Sequence, residues 1–182
     1  EGMQLTDSEV SVKPDGTYNI SCRGANDGSI KMTISGGSGN YTYLWTGSNG
    51  FAATTKDISG LKAGDYVCTV LDVNGCILTP FPSFTLTEPP ALVITPLASI
   101  SADGAYNINC YGGTGSINVT VSGGIPGTYQ YKWSTVDGSG IIAGQEDQSA
   151  LTAGTYHLKV TDLNNCENTK DVTLSQPPSL GA

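Results

Sequence analysis

Positive charge is scarce in this chain: eight Lys plus Arg stand against sixteen Asp plus Glu, a net charge of −8. A surface so poor in cations cannot concentrate a phosphate backbone, which excludes nucleic acid as a partner class. A single histidine leaves no material for a repeated His-based catalytic site. No window approaches about 18 consecutive apolar residues, so membrane insertion through a helix is not expected. The opening residues EGMQLTDSEV carry neither the basic nor the apolar region of a secretory signal, and the chain reads as a mature or excised segment. Charged residues make up only 13 % of the 182, whereas 24 glycines, 21 threonines and 18 serines supply much of the rest. That balance fits short strands joined by tight turns and argues against long amphipathic helices.

What the chain does have is repetition. Laid over itself with a shift near 88 residues, YNISCRG at Tyr18 meets YNINCYG at Tyr106, and GSIKMTISGG at Gly28 meets GSINVTVSGG at Gly115. YTYLW at Tyr41 meets YQYKW at Tyr129, LKAGDYVCTVLDVNGC at Leu61 meets LTAGTYHLKVTDLNNC at Leu151, and TLTEPPAL at Thr85 meets TLSQPPSL at Thr173. The small gaps between these blocks fall where loops tolerate length changes. Proline pairs close each copy, Pro89-Pro90 and Pro177-Pro178, and proline stiffens a linker while denying it a ladder donor. The expected units are residues 3–90 and 91–178, with 179–182 as the start of a further repeat.

Inside each unit the hydrophobic period is two. Ile30, Met32 and Ile34 alternate with Lys31 and Thr33, as Ile117, Val119 and Val121 do with Asn118 and Thr120; Tyr66, Cys68 and Val70 correspond to Tyr156, Leu158 and Val160. About seven strands fit each copy, in the first near 4–12, 18–22, 29–35, 41–46, 54–58, 64–72 and 83–88. Seven short strands in under 90 residues predict an all-β chain of two tandem immunoglobulin-like β-sandwich domains with antiparallel sheets.

Four of the five cysteines align as duplicates, Cys22 and Cys76 with Cys110 and Cys166. Duplicated pairing partners are the simplest explanation, giving disulfides Cys22–Cys76 and Cys110–Cys166; reduced core or turn cysteines are the other reading. Cys68 aligns with Leu158 on an inward strand face and is expected to be a buried free thiol. The tracks Tyr41, Tyr43, Trp45 and Tyr129, Tyr131, Trp133 line one strand face. Aromatic rows can stack on sugar rings, but the polar residues between them, Gln130 and Lys132, turn the aromatic side inward. Trp45, Trp133, Tyr66 and Tyr156 are therefore core aromatics, and Tyr41 and Tyr129, nearest the loop end, are the ligand-facing candidates. Asp72 and Asn74, with Asp162 and Asn164, offer oxygen ligands at a spacing that suggests calcium, although hairpin turns explain them equally. No other metal or cofactor is expected. The acids Asp137, Glu146 and Asp147 fall in a loop where the first copy keeps only Asp57, which gives catalysis no support.

The ordered elements C-x-G, D/T-G-S-I, S-G-G, Y-x-Y-x-W, L-x-A-G-x-Y, D-x-N-x-C and T-L-x-x-P-P closely resemble the SprB-type repeats of very large surface adhesins in gliding bacteria of the Bacteroidetes. The resemblance covers nearly the whole chain, twice. It implies a tandem array exported across the outer membrane, held on the cell surface and moved by the gliding machinery while it adheres to the substratum. Implied partners are an extracellular surface or polysaccharide, neighbouring repeats, and the gliding machinery through other parts of the protein. The family supplies no catalytic residues. A pair of carbohydrate-binding modules gripping polysaccharide through loop and aromatic residues is the alternative function.

Overall fold

A computed structural model describes every residue except Glu1, Pro126, Thr128 and Ala182; Ala182, at the end of the expected 179–182 stretch, thus lies outside the described residues. The chain divides into two compact units, Glu1–Pro90 and Ala91–Ala182. Among the described residues there is no α-helix, only a 3-10 turn at Ser48–Gly50, and no helix is long and apolar enough to cross a membrane. The architecture is all-β, with antiparallel sheets packed as immunoglobulin-like sandwiches and none closed into a barrel.

Among its described residues the first unit has seven strands: β1 (Gln4–Val10), β2 (Gly28–Ser35), β3 (Thr42–Gly47), β4 (Phe51–Ala53), β5 (Ile58–Leu61), β6 (Gly64–Leu71) and β7 (Ser83–Leu86). They form one sheet ordered β1-β2-β5 and another ordered β4-β3-β6-β7. The period-two pattern decides the facing, because successive side chains on a strand point to opposite sides. Ile30 and Met32 of β2 and Tyr66, Cys68 and Val70 of β6 bury against one another around Trp45 of β3, while Lys31, Thr33 and Leu44 point outward.

Among its described residues the second unit repeats the plan with six strands: β8 (Val93–Ala98), β9 (Gly115–Ser122), β10 (Gln130–Thr135), β11 (Gln148–Leu151), β12 (Gly154–Thr161) and β13 (Glu167–Leu174). Its sheets are ordered β11-β9-β8 and β10-β12-β13. Ile117, Trp133, Leu151, Tyr156, Leu158 and Val160 form the corresponding core.

Two strand expectations need correction, and among its described residues the second unit has one strand fewer than the seven expected. Residues 18–22 are a chain of bends, because the amides there are taken by turn partners: Asp15 Oδ1 accepts from Thr17 and Tyr18, and the Ile20 amide reaches Thr87 O. Of that segment only Ile20 enters the core. The strand expected at 54–58 lies at Ile58–Leu61. Among the described residues of the second unit no strand matches β4, and the buried Gln148 holds the loop instead: its Oε1 accepts from Ile142 N at 2.8 Å and its Nε2 donates to Ile142 O at 2.9 Å. The last strands also differ in length. Pro80 and Pro82 deny the first unit the ladder donors that let β13 pair with the full length of β12.

Each sandwich has two distinct ends. In the first unit β1 begins opposite the end of β2, Gln4 facing Ser35. The end of β6 joins them there, with the Val73 amide donating to Gly39 O. The opposite end is where β7 finishes, Leu86 facing Gly64 at the start of β6. In the second unit Val93 faces Ser122 at the entry end and Leu174 faces Gly154 at the exit end.

Candidate functional site

The residues that recur in both units close local hydrogen-bond clips. Asn19 donates from Nδ2 to Ser11 O at 2.8 Å and accepts at Oδ1 from Thr87 N at 2.8 Å and Thr87 Oγ1 at 3.1 Å. Asn107 repeats this with Ser99 O and with Ser175 N and Oγ, all at 2.9 Å. Asp57 Oδ1 accepts from Met32 N at 3.2 Å, and Asp147 Oδ1 from Val119 N at 2.8 Å. Glu88 Oε2 accepts from Gly24 N and Gln176 Oε1 from Gly112 N. The L-x-A-G-x-Y motif is a tyrosine corner: the Tyr66 hydroxyl donates to Lys62 O at 2.9 Å, and the Tyr156 hydroxyl to Thr152 O at 2.7 Å.

Both tryptophans are buried, and each indole N–H reaches a carbonyl at 3.0 Å, Trp45 to Thr55 O and Trp133 to Gln145 O. The aromatic tracks therefore face the core. Tyr41 and Tyr129 are partly exposed, and their hydroxyls donate to Gly36 O at 2.6 Å and Gly123 O at 2.8 Å. Those carbonyls belong to the S-G-G turns. The second glycine of each turn has positive φ, at Gly37 and Gly124, and packs where a β-carbon would press on the Asp72 or Asp162 carboxylate.

Those two carboxylates are the oxygen ligands of the calcium reading, and in the fold they serve backbone amides. Asp72 Oδ2 accepts from Ser38 N at 3.0 Å, and its Oδ1 from Asn74 N and Cys76 N, both at 2.9 Å. Asp162 does the same with Ile125 N at 2.8 Å and with Asn164 N and Cys166 N at 2.9 Å. The Ser38 amide, followed by those of Cys76 and Asn74, holds the Asp72 carboxyl below the usual range. Asn74 turns its side chain to Ser38 Oγ at 2.6 Å, and Asn164 is buried in the second copy of the turn. Gly75 and Asn165 hold the left-handed position of these turns, φ 79° and 62°, a conformation that glycine and asparagine accept most readily. Among the described residues no three His, Cys, Asp or Glu side chains gather into a metal-holding group.

The expected bridges Cys22–Cys76 and Cys110–Cys166 are not formed: Cys76 and Cys110 are exposed free thiols. The reason is the length of β6 and β12. Cys22 follows Asn19 at the exit end of the first unit, whereas Cys76 sits in the Asp72 turn at its entry end. Eight residues of β6 separate those ends, about 23 Å at 3.3 Å per step, and a disulfide requires Cα atoms within about 7 Å. Cys110 and Cys166 are kept apart in the same way by β12. Cys68 is a free thiol with no exposed surface, and burial pushes its pKa up to about 11.

His157 Nδ1 pairs with Asp171 Oδ1 at 2.7 Å on the outer side of β12 and β13. Asp137 Oδ1 accepts from Thr155 N at 2.8 Å. Burial and a hydrogen bond to Glu146 push the Tyr131 hydroxyl up. Sequence reasoning missed the Asn19 and Asn107 clips; their signal was the recurrence of Y-N-I-x-C beside T-L-x-x-P-P, two blocks that fold onto each other.

Two immunoglobulin-like sandwiches with the same internal clips define a tandem-repeat β protein. The model of the SprB repeat family matches it twice, at residues 17–50 and 105–138. Each match runs from the bend segment before Cys22 or Cys110 through the strand carrying Trp45 or Trp133. No curated protein matches the chain.

Proposed function

We propose that the chain is a non-catalytic repeat segment of a large cell-surface adhesin of the gliding-motility type, serving as spacer and adhesive surface on the outside of the cell. The SprB repeat, matched once in each unit, supports a cell-surface repeat region of that kind. The observation that carries the mechanical reading is where the recurring residues are spent. Asn19, Asp57, Tyr66 and Asp72, with their counterparts in the second unit, all close backbone contacts of their own sandwich. A repeat selected for a ligand would reproduce outward-facing groups instead. Yet the exposed loops differ, TGSNGFAATTK at Thr46 against STVDGSGIIAGQE at Ser134. The Asn19 clip also sits where the chain leaves its unit. Asn19 fastens Thr87, the residue after β7, to the segment that follows β1.

Pulling the chain by its two ends under reducing conditions tests the spacer role, with two separate unfolding events expected and extension without a force peak refuting it. A glycan array probed with the same chain tests the surface role. Weak binding without sugar preference is expected, and saturable binding to one sugar family would replace this reading with the carbohydrate-module one.

A further inference from the structure

We propose that the outer edge of β10 is a strand-pairing surface for a second copy of this chain, and that Lys132 keeps it closed to that partner. Among the described residues β10 ends its sheet, ordered β10-β12-β13, and no strand is paired on its free side. In the first unit the same edge is occupied: Trp45, Thr46 and Gly47 of β3 pair with Ala53, Ala52 and Phe51 of β4. The Cys68 amide turns away from β3, to Pro82 O at 2.9 Å, so the backbone of Trp45, which stands opposite Cys68, is directed to β4. Trp133 stands opposite Leu158 in the same register, and Tyr131, Trp133 and Thr135 accordingly direct their N–H and C=O groups to the free edge. The segment after β10 is fastened elsewhere: Ser139 O accepts from Thr152 N at 3.3 Å, and Ile142 N donates to Gln148 Oε1 at 2.8 Å. An edge of six residues with free ladder groups is a template for another strand.

The side chains on the outward face differ between the units as a guarded edge requires. β3 carries Leu44 opposite Thr69, whereas β10 carries Lys132 opposite Lys159. Like charges directly opposite each other cost stability, and the chain has only eight Lys plus Arg to place. Lys159 Nζ is drawn to Glu167 Oε1 at 2.7 Å, and His157 Nδ1 to Asp171 Oδ1 at the same distance. Lys132 is left exposed with no ion pair among the described residues, the uncompensated charge of its rung. It sits in the middle of Gln130–Thr135. If a second copy adds its own β10 antiparallel, with the aromatic side of both strands inward, the two Lys132 side chains lie directly opposite or on a diagonal of about 7–8 Å. Their repulsion opposes the pairing that the free backbone groups favour, a known use of lysine on edge strands. In the first unit β4 guards the edge by occupying Trp45–Gly47, and the stretch of β3 that it leaves, Thr42–Leu44, is too short to hold a partner.

The test is the mass of the intact chain by light scattering in low salt, where charge is least screened, with the exposed thiols of Cys76 and Cys110 alkylated so that no disulfide joins copies. The parent chain is expected to be a monomer. Lys132→Thr, neutral and suited to a strand, is expected to double in mass. Lys132→Glu alone is expected to stay monomeric, because it too repels its own kind. Mixed in equal amounts with the parent it is expected to double in mass, since opposite charges then face each other across the joined edges. Hydrogen exchange of the doubled species should show new protection in peptides spanning 130–135. A parent chain that already associates, a Lys132→Thr chain or a mixture that stays monomeric, or new protection confined to other strands overturns the proposal. If Lys132→Thr loses the melting transition reported by Trp133, the mixture alone decides. Because the readout is mass and not adhesion, the result is independent of the proposed function.

Discussion

Replacing Asn19 by alanine removes three hydrogen bonds at once, to Ser11 O at 2.8 Å and from Thr87 N and Oγ1 at 2.8 and 3.1 Å. A hydrogen bond contributes a net of about 0.5–1.5 kcal/mol, and water recovers part of the loss at a half-open site, so the expected cost is about 2 kcal/mol. For a domain of roughly 90 residues each kcal/mol moves the midpoint by about 4–8 °C, which gives the first unit a fall of about 8–16 °C. Each unit contains one buried tryptophan, Trp45 or Trp133, so fluorescence-monitored melting under reducing conditions follows both. Asn19→Ala shifts the transition reported by Trp45, and Asn107→Ala shifts the one reported by Trp133 by a similar amount. Asn19→Asp, which keeps the acceptor but loses the donor, falls between alanine and the parent. An unchanged midpoint in Asn19→Ala, or an equal shift in both transitions, would refute the assignment of this side chain as the clip of its own unit.

The two tyrosine corners predict unequal penalties. Tyr66→Phe loses one bond, to Lys62 O, whereas Tyr156→Phe loses a single O–H donor shared between Thr152 O and Ser139 O and also the acceptor for Ser139 N; chemical denaturation should give about 1 kcal/mol for the first and about 2 kcal/mol for the second. With its pKa raised to about 11, Cys68 is about one part in a thousand thiolate at pH 8, and a thiol reagent in native buffer should label Cys76 and Cys110 while leaving Cys68 unmodified until denaturant is added. Asp72 has a folded-state pKa below its ordinary value of 3.8 because the Ser38, Cys76 and Asn74 amides bind the anion. Its stabilising effect is complete above that ordinary value and is lost as pH falls through the folded one, so the first unit should weaken below about pH 4. Asp72→Asn should flatten that acid limb in pH-dependent unfolding, and an unaltered limb would show that the carboxylate is not the group responsible.

Much of the fold is legible in one sequence because burial on a strand follows a period of two that neighbours alone define. The inward facing of Ile30, Met32, Tyr66 and Cys68 follows from that alternation, and duplication fixes where each unit starts again. The Asp-x-Asn turns are visible as turns for the same local reason. What the alternation cannot carry is distance along the third dimension. Cys22 and Cys76 align with Cys110 and Cys166 as paired positions, yet strands β6 and β12 place the members of each pair at opposite ends of their sandwich. The carboxylates of Asp72 and Asp162 look like cation ligands in the sequence. Only the folded chain brings the Ser38 and Ile125 amides, from more than thirty residues away, against them. Asn19 reads as one more polar residue in a loop until β7 returns Thr87 to its side. Local alternation and turn chemistry thus determine which side chains are buried and where the chain reverses; which distant groups meet depends on strand length and sheet order, and so belongs to the tertiary structure alone.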